Sequence, residues 1–449
     1  MAKRRARAQS ASSRAAEVRR SIFTDPGVYA REQERIFNRS WLYLAHVSEI
    51  PNPGDYVARP MGSDQVIVWR GEDRQIRVFL NACRHRGMQV CRADAGTARR
   101  FVCPYHAWTY DSTGKLRTTT YDQHYQPSDL KSIALTSAAQ VSQYRGLIFA
   151  TWNMRAGTLA AHLGDLRWYL DLQFGRTPAG MTVIGPPQRW IIETNWKIPA
   201  LNFLDSQHAL RTHVGPMTLA KAAGAPPLSE IIRMANATPQ ISFPQGHGVV
   251  LQPVSPNLPD FFGYPPDLVP LYASSLMPDQ FAQLRHMPPG VGTIFPNTSW
   301  VGTLLAVAAD EPPMVFLSLR NWQPLTANKL EVWSWYFADA EASDPWRARM
   351  HRIALQTFGV GGVFEEDDAE IWAAISRSIG GTMASREYVD FSAGRSVPAM
   401  KGRAAPGIAH PSVLTEHAQR GFIGRWQHMM RNGARTSSAR GHARMGRPA

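Results

Sequence analysis

Cysteine is scarce. Three cysteines in 449 residues exclude a disulfide framework and point to a reducing compartment, the cytoplasm. No run of 18 consecutive apolar residues occurs, so no segment suits a membrane-spanning helix. The start, MAKRRARAQSASSRAAEVRR, lacks an apolar core, which excludes a secretory signal. Acidic residues are missing chiefly at the ends. Of a net charge of +14, residues 1–20 hold +6 and residues 420–449 hold +7, which leaves the body nearly neutral. Charge confined to the ends argues against a nucleic-acid-binding face. Residues 1–20 and 431–449 read as basic flexible arms, although the Arg- and Ser-rich start also fits a transit peptide.

What remains is a globular chain long enough for two or three domains. Residues 22–45 predict a short helix after Asp25-Pro26 and then a strand. QVIVW, IRVFLN, RFVCPYHAW and GLIFATW are β-branched or aromatic runs broken by turn residues, the pattern of a small all-β module. Residues 156–175 predict helix, VIGPPQRWIIETNWK predicts strand, and residues 197–225 predict helix up to Pro226-Pro227. Residues 228–313 are rich in Pro and Gly and predict long covering loops. MVFLSLRNWQPL and KLEVWSWYFADA predict a strand pair around Thr326-Ala327-Asn328. Residues 344–376 predict helix interrupted at Phe358–Gly362. No repeat of fixed period is present.

Two constellations carry chemistry. Cys83-Arg84-His85 and Cys103-Pro104-Tyr105-His106 each place a thiol and an imidazole in one tight loop after a strand. Two Cys and two His suit zinc. Zinc fingers, however, pair Cys with Cys and His with His, and here the types alternate. Two mixed loops fit a Rieske [2Fe–2S] centre, in which two Cys hold one iron and two His the other. Cys91 lies outside the pattern and reads as a small buried hydrophobe. In the second constellation Asp205, His208 and His213 share a face if the segment is helical. Two imidazoles and one carboxylate make the facial triad of non-haem Fe(II) oxygenases. Glu365-Glu366-Asp367-Asp368 supplies candidates for the carboxylate. An O₂-activating iron needs electrons one at a time, and the first constellation provides a carrier.

At these residues the sequence resembles the large (α) subunits of Rieske non-haem iron aromatic-ring-hydroxylating dioxygenases, the biphenyl, benzene and naphthalene group. CRHRGMQVCRADAG and FVCPYHAWTYDSTGKL are the most specific stretches. IPNPGDY, NWK, GHG, GTIFPN and QRGFIGRW are also similar. The resemblance implies an α+β fold, with an all-β Rieske domain (39–155) inserted in a catalytic domain (21–38 and 156–430). In that domain an antiparallel sheet is packed by helices in a helix-grip-like arrangement. It implies Cys83, His85, Cys103 and His106 as cluster ligands, and His208, His213 and Asp368 as ligands of a mononuclear iron. It implies Asp205 as the electron bridge between subunits, with Asn202 beside it. Phe203, Ala209, Phe358 and Phe364 fall where the family lines its substrate pocket. The chain departs from the family at Leu201-Asn202, where Glu-Asn is usual, with one residue fewer before Asp205. It also departs at Gln207, usually Tyr, and at Ala107, usually Gly.

The implied activity is cis-dihydroxylation of an arene by O₂ with NADH-derived electrons. These would arrive through a reductase, often by way of a ferredoxin. The implied partners are a small β subunit and further copies of the chain in a trimer-based oligomer, α3β3 or α3. A Rieske monooxygenase or demethylase would use the same metals. A non-catalytic Rieske electron carrier would need the first constellation alone.

Overall fold

The computed structural model describes residues 17–216, 227–252, 260–305 and 313–432. Residues 1–16 of the expected arm, 433–449 of the expected tail and 217–225 of the expected helix lie outside them. Glu17–Arg19 does not behave as an arm: it pairs antiparallel with Tyr388–Asp390. The final helix, His417–Asn432, likewise carries order past the expected boundary at 430.

The entry helix starts where Asp25 caps it. The carboxylate accepts from the N–H groups of Gly27 (2.6 Å) and Val28 (3.3 Å), and Pro26 needs no partner in the first turn. The helix Pro26–Glu32 continues into a turn of π-helix, Gln33–Phe37, and then into the strand Leu42–His46. That strand joins Leu147–Thr151 and Gln140–Tyr144 in one small sheet. Asp55–Met61, Asp64–Arg70, Ile76–Leu80 and Ala95–Thr97 form a second. Arg100–Val102, Thr109–Asp111 and Leu116–Thr118 form a third. Alternation divides Asp64–Arg70 between two cores. Val66 and Val68 join the main core, while Ile67 and Trp69 join a separate core that holds Cys83, Cys91 and Cys103.

Among the described residues the catalytic half contains one nine-stranded antiparallel sheet. Its spine is the long hairpin Met314–Thr326 and Lys329–Asp339, as the sequence predicts. Both faces are covered. Met314, Phe316, Trp322, Leu330, Val332 and Tyr336 face one core. Val315, Leu317, Leu319, Trp333, Trp335 and Phe337 face the other. The first face packs against the helices Asp344–Phe358, Val363–Ile379 and His417–Asn432, and the second against Leu166–Phe174. The metal-ligand candidates lie on the first side.

Two expectations fail. Residues 228–305 are not chiefly loop. They supply the strands Gln240–Ser242, Gly248–Leu251, Pro289–Ile294 and Thr298–Leu305, and the helices Leu228–Asn236, Val269–Ser275 and Pro278–His286. Nor is 197 onwards one helix. Lys197–Asn202 stops, and Ala209–Thr212 starts a new turn. Between them the Asp205 carboxylate accepts from the Gln207 N–H at 2.7 Å. This local bond takes the backbone out of the helical ladder.

One buried pair ties the entry helix and the helix His417–Asn432 to this half. Lys197 Nζ lies 2.6 Å from Glu32 Oε1, with both side chains fully buried. The Glu32 carboxylate also accepts from the indole N–H of Trp196 (2.9 Å) and of Trp426 (2.7 Å). Glu32→Ala should leave an ammonium and two indole N–H groups without an acceptor. It should lower unfolding stability by about 3–5 kcal/mol, read as a shift in the urea midpoint.

Candidate active site

The first constellation forms as the spacing suggests. Both loops close in the same way. The N–H of Gly87 donates to Cys83 O at 2.8 Å, and that of Ala107 to Cys103 O at 3.0 Å. Ala107 occupies the left-handed region at φ 54°, matching Gly87 at φ 75°. A side chain there costs roughly 1–2 kcal/mol. The closure brings His85 Nδ1 to 3.1 Å from His106 Nδ1. Cys83 and Cys103 are buried behind the rings, and Cys83 Sγ lies 3.2 Å from the Tyr110 hydroxyl. His85 stacks on Trp108, with centroids 4.8 Å apart and planes at 9°. The two thiols approach each other, as do the two imidazole nitrogens, and together they are the donor set that a Rieske cluster requires.

The second constellation converges despite the broken helix. One ligand atom from each of His208, His213 and Asp368 falls within 4.8 Å of the others. Asp368 Oδ1 is 3.6 Å from His208 Nε2 and 3.5 Å from His213 Nε2. The far nitrogens face carboxylates further out: His213 Nδ1 is hydrogen-bonded to Asp367 Oδ2 at 3.3 Å, whereas His208 Nδ1 lies 3.4 Å from Asp205 Oδ2 without hydrogen-bond geometry. Carboxylates at Nδ1 favour the Nδ1–H tautomers, which turn the Nε2 lone pairs inward. Asn202 Nδ2 donates at 3.2 Å to His208 Nε2 and approaches Asp368 Oδ1 at 3.5 Å, in agreement. Three lone pairs aimed at one point, two from nitrogen and one from oxygen, fit a divalent iron.

Burial sets the charge state of this group. It pushes the Asp368 carboxyl up to about 7, against the pull of His208. It pushes the His213 imidazole down to about 4. Burial opposes protonation of His208 as well, but the neighbouring Asp205 and Asp368 carboxylates hold that imidazole above its ordinary range.

A cavity of about 380 Å³ opens over these residues. Asn202, Phe203, Asp205 and Ala209 line it with the triad, as do Phe358 and Phe364. The helices that end at Phe358 and begin at Val363 are linked by a turn closed by Gly362 N–H on Gly359 O at 2.9 Å. That turn stacks Phe358 on Phe364, with centroids 5.2 Å apart and planes at 14°, and sets Phe364 4.9 Å from the His213 ring. Beneath them, fully buried Arg320 pairs with Glu365 and donates to the Phe358 carbonyl at 2.6 Å. Its guanidinium lies 5.6 Å from the Phe203 ring and 5.4 Å from the Phe358 ring. Every site residue proposed from the sequence is therefore placed in one of two clusters. Missing from the sequence reading are Arg320, the pairing of the carboxylate candidate Glu365 with it, and the apolar wall of Ile231, Met234, Val250, Val291 and Val301.

A Rieske [2Fe-2S] domain model matches residues 40–134, and the model of the ring hydroxylating alpha subunit (catalytic domain) matches residues 159–432. The chain belongs to the ring-hydroxylating alpha-subunit family. It is 33% identical to the biphenyl dioxygenase subunit alpha of Metapseudomonas furukawaii, covering 91% of this chain and 90% of that protein. The N,N-dimethyl phenylurea N-demethylase subunit alpha of Sphingobium sp. is 32% identical, with 92% and 91% covered. Among solved structures, naphthalene 1,2-dioxygenase from Rhodococcus sp. bound to indole matches with a TM-score of 0.85 and 38% identity, covering 92% of this chain and 94% of that one. As a ring-hydroxylating alpha subunit the chain carries a Rieske [2Fe–2S] domain, and its catalytic domain implies a mononuclear iron. Among the described residues no helix is long and apolar enough to cross a membrane.

The buried carboxyl gives a pH signature in the metal-free chain. A folded pKa raised to about 7 means that the Asp368 contribution to stability is present at low pH and lost as pH rises towards 7. His213, pushed down from 6.5, acts in the opposite direction and is lost as pH falls towards 4. Asp368→Asn removes the first, together with the part of the field on His208 that Asp368 supplies, and leaves the second. Its metal-free form should gain stability over the metal-free parent as pH is raised from about 5 to about 8, read from paired urea midpoints. A constant difference across that range would count against the raised carboxyl.

Proposed function

We propose that this chain is the α subunit of a terminal oxygenase that adds both atoms of O₂ to one face of an aromatic ring, giving a cis-dihydrodiol. The two electrons come from NADH through a reductase and ferredoxin. The observation that carries this reading is the convergence of His208 Nε2, His213 Nε2 and Asp368 Oδ1 in a cavity walled by Phe358, Phe364 and aliphatic side chains. The biphenyl and naphthalene dioxygenase relatives support it. A bare electron carrier has no use for such a cavity.

Cys83, His85, Cys103 and His106 hold the cluster, and His208, His213 and Asp368 hold the iron. The two centres together supply one-electron transfer and reductive activation of O₂. Asp205 is the electron bridge. One of its oxygens is taken by Gln207 N–H, and the other faces His208 Nδ1. The carboxylate stays about one-third exposed, so a lone pair remains for an imidazole N–H of an adjacent subunit. The His85 and His106 rings face each other through Nδ1, which leaves each Nε2–H directed away from the cluster side. Phe358 and Phe364 present flat faces to a planar substrate, and position rather than proton transfer sets where oxygen enters. We further propose a Rieske domain at 39–155 set between two parts of a catalytic domain, whose expected bounds of 21–38 and 156–430 are widened by the strand Glu17–Arg19 and the helix to Asn432. A small β subunit, a trimer-based assembly and a cytoplasmic location complete the reading.

The demethylase relative favours a second reading, oxidation of an N-methyl group at the same centres. Incubation with mono- to tetracyclic arenes and with N-methylated aryl compounds separates the two. The first yields a cis-diol containing two atoms of labelled oxygen, and the second yields formaldehyde.

Asp368→Ala should lose the mononuclear iron and all turnover while the cluster spectrum is unchanged. Asp367→Ala should keep iron but bind it about 10- to 100-fold more weakly, because Asp367 only orients His213. Reversal of these effects in an iron assay would place the ligand at 367.

Phe364→Leu should change the product ratio on a multi-ring substrate by an amount set by roughly 1–3 kcal/mol of pocket discrimination. The melting temperature should move little. A core role predicts unchanged ratios with a large thermal loss.

A further inference from the structure

A second cavity lies on the seam between the small β half and the catalytic half. It measures about 390 Å³ and is lined by four arginines, Arg35, Arg39, Arg155 and Arg425, together with His162 and His428. Among the described residues no Asp or Glu lines it. Five separate segments contribute: the end of the entry helix, the loop after Leu147–Thr151, the helix Leu159–Leu163, the turn at Gln245, and the C-terminal helix.

The floor is built and polar. Arg425 Nε, His162 Nε2 and Gln245 Oε1 are buried without a hydrogen-bond partner. Gly246, at φ 88°, leaves room for the Arg425 stem, since a Cβ there would lie 2.6 Å from Arg425 Cβ. The His162 ring meets His247 edge to face at 5.1 Å. His247 donates from Nε2 to the His162 carbonyl (2.8 Å) and accepts Phe295 N–H at Nδ1 (2.8 Å), which fixes it as a neutral tautomer. Burial lowers the Arg425 guanidinium from its ordinary value with no carboxylate to offset the cost. At the rim Arg35 donates to the Met430 carbonyl at 2.5 Å. The Ser40 and Thr158 side chains are within the lining.

We propose that this cleft binds a small oxyanion of the phosphate class. Guanidinium groups match tetrahedral oxyanions through paired N–H donors, and Ser40 and Asn153 in the lining offer a hydroxyl and an amide donor beside them. A recess with a buried cationic floor suits a small anion better than an extended polyanion, which would need charge spread across a face. Nothing in the proposed reaction uses this cleft. Its occupant would fasten the Asn153–Thr158 loop to the C-terminal helix.

The test uses the full chain with its metals, in buffer free of oxyanions. Inorganic phosphate is titrated calorimetrically and in thermal scans against chloride of matched ionic strength. Saturable binding and a phosphate-specific rise in melting temperature are expected. Arg425→Gln should weaken phosphate binding about tenfold or more, because it removes a charged donor. Arg155→Gln, at an exposed position on the rim, should weaken it less and serves if the first variant does not fold. Absence of saturable binding, or equal binding in both variants, overturns the proposal. So does a cross-link that places an acidic side chain of another subunit against Arg425.

Discussion

A carboxylate at the floor of an apolar cavity is unfavourable unless something answers its charge, and the catalytic half is arranged around that constraint. Asp368 is buried with two imidazole nitrogens as its nearest charge partners. Carboxylates stand behind both imidazoles, Asp205 at 3.4 Å from His208 and Asp367 hydrogen-bonded to His213. On the other side, one helical turn before Asp368, Glu365 is neutralised by Arg320. Arg320 is enclosed by Trp190, Phe203, Trp322 and Phe358. The acidic helix is thus pinned from beneath, and the aromatic residues that do the pinning are in part those that wall the cavity. Metal geometry and pocket shape are set by one cluster of contacts.

Short-range chemistry was legible in the sequence, and long-range assembly was not. Cys83 with His85 and Cys103 with His106 each sit in a single tight loop, so their spacing alone carries the ligand pattern. His208 and His213 were legible as a pair, but the choice of Asp368 depended on resemblance, because 154 residues of chain lie between His213 and the carboxylate. The apolar wall was missed because its strands do not alternate. Gly248–Leu251 and Pro289–Ile294 are largely buried on both faces, so they read as short Gly-rich runs rather than as strands. Gly292 is one reason. A Cβ there would lie 2.2 Å from the Trp300 ring, so the strand needs the very residue that disguises it. Ile231, Met234 and Ala235 did leave a signal, intervals of three and four in the helix Leu228–Asn236, hidden by the prolines on either side.

The two halves are joined differently from how each is held together. The cysteines of the first cluster have their own small core, and the strands beside it contribute only alternate residues to the main core. The entry helix, Lys197 and the C-terminal helix meet instead at one carboxylate, Glu32. Distant parts of the catalytic half therefore share a polar anchor, whereas the metal loops rest on a separate apolar one.

The alternation of the long hairpin has a consequence for how this scaffold can vary. Arg320 belongs to the face that carries Phe316 and Trp322, while its neighbour Leu319 belongs to the opposite core. A one-residue slip in the pairing of Met314–Thr326 with Lys329–Asp339 would carry the guanidinium across the sheet, away from Glu365 and the Phe358 carbonyl. A leucine would take its place beneath the cavity. Strand register and site integrity are thus the same variable. Single insertions or deletions within the hairpin are barred, and its turn is tied down as well, since Ala327 is buried and its carbonyl accepts from Asn195 Nδ2 at 2.5 Å.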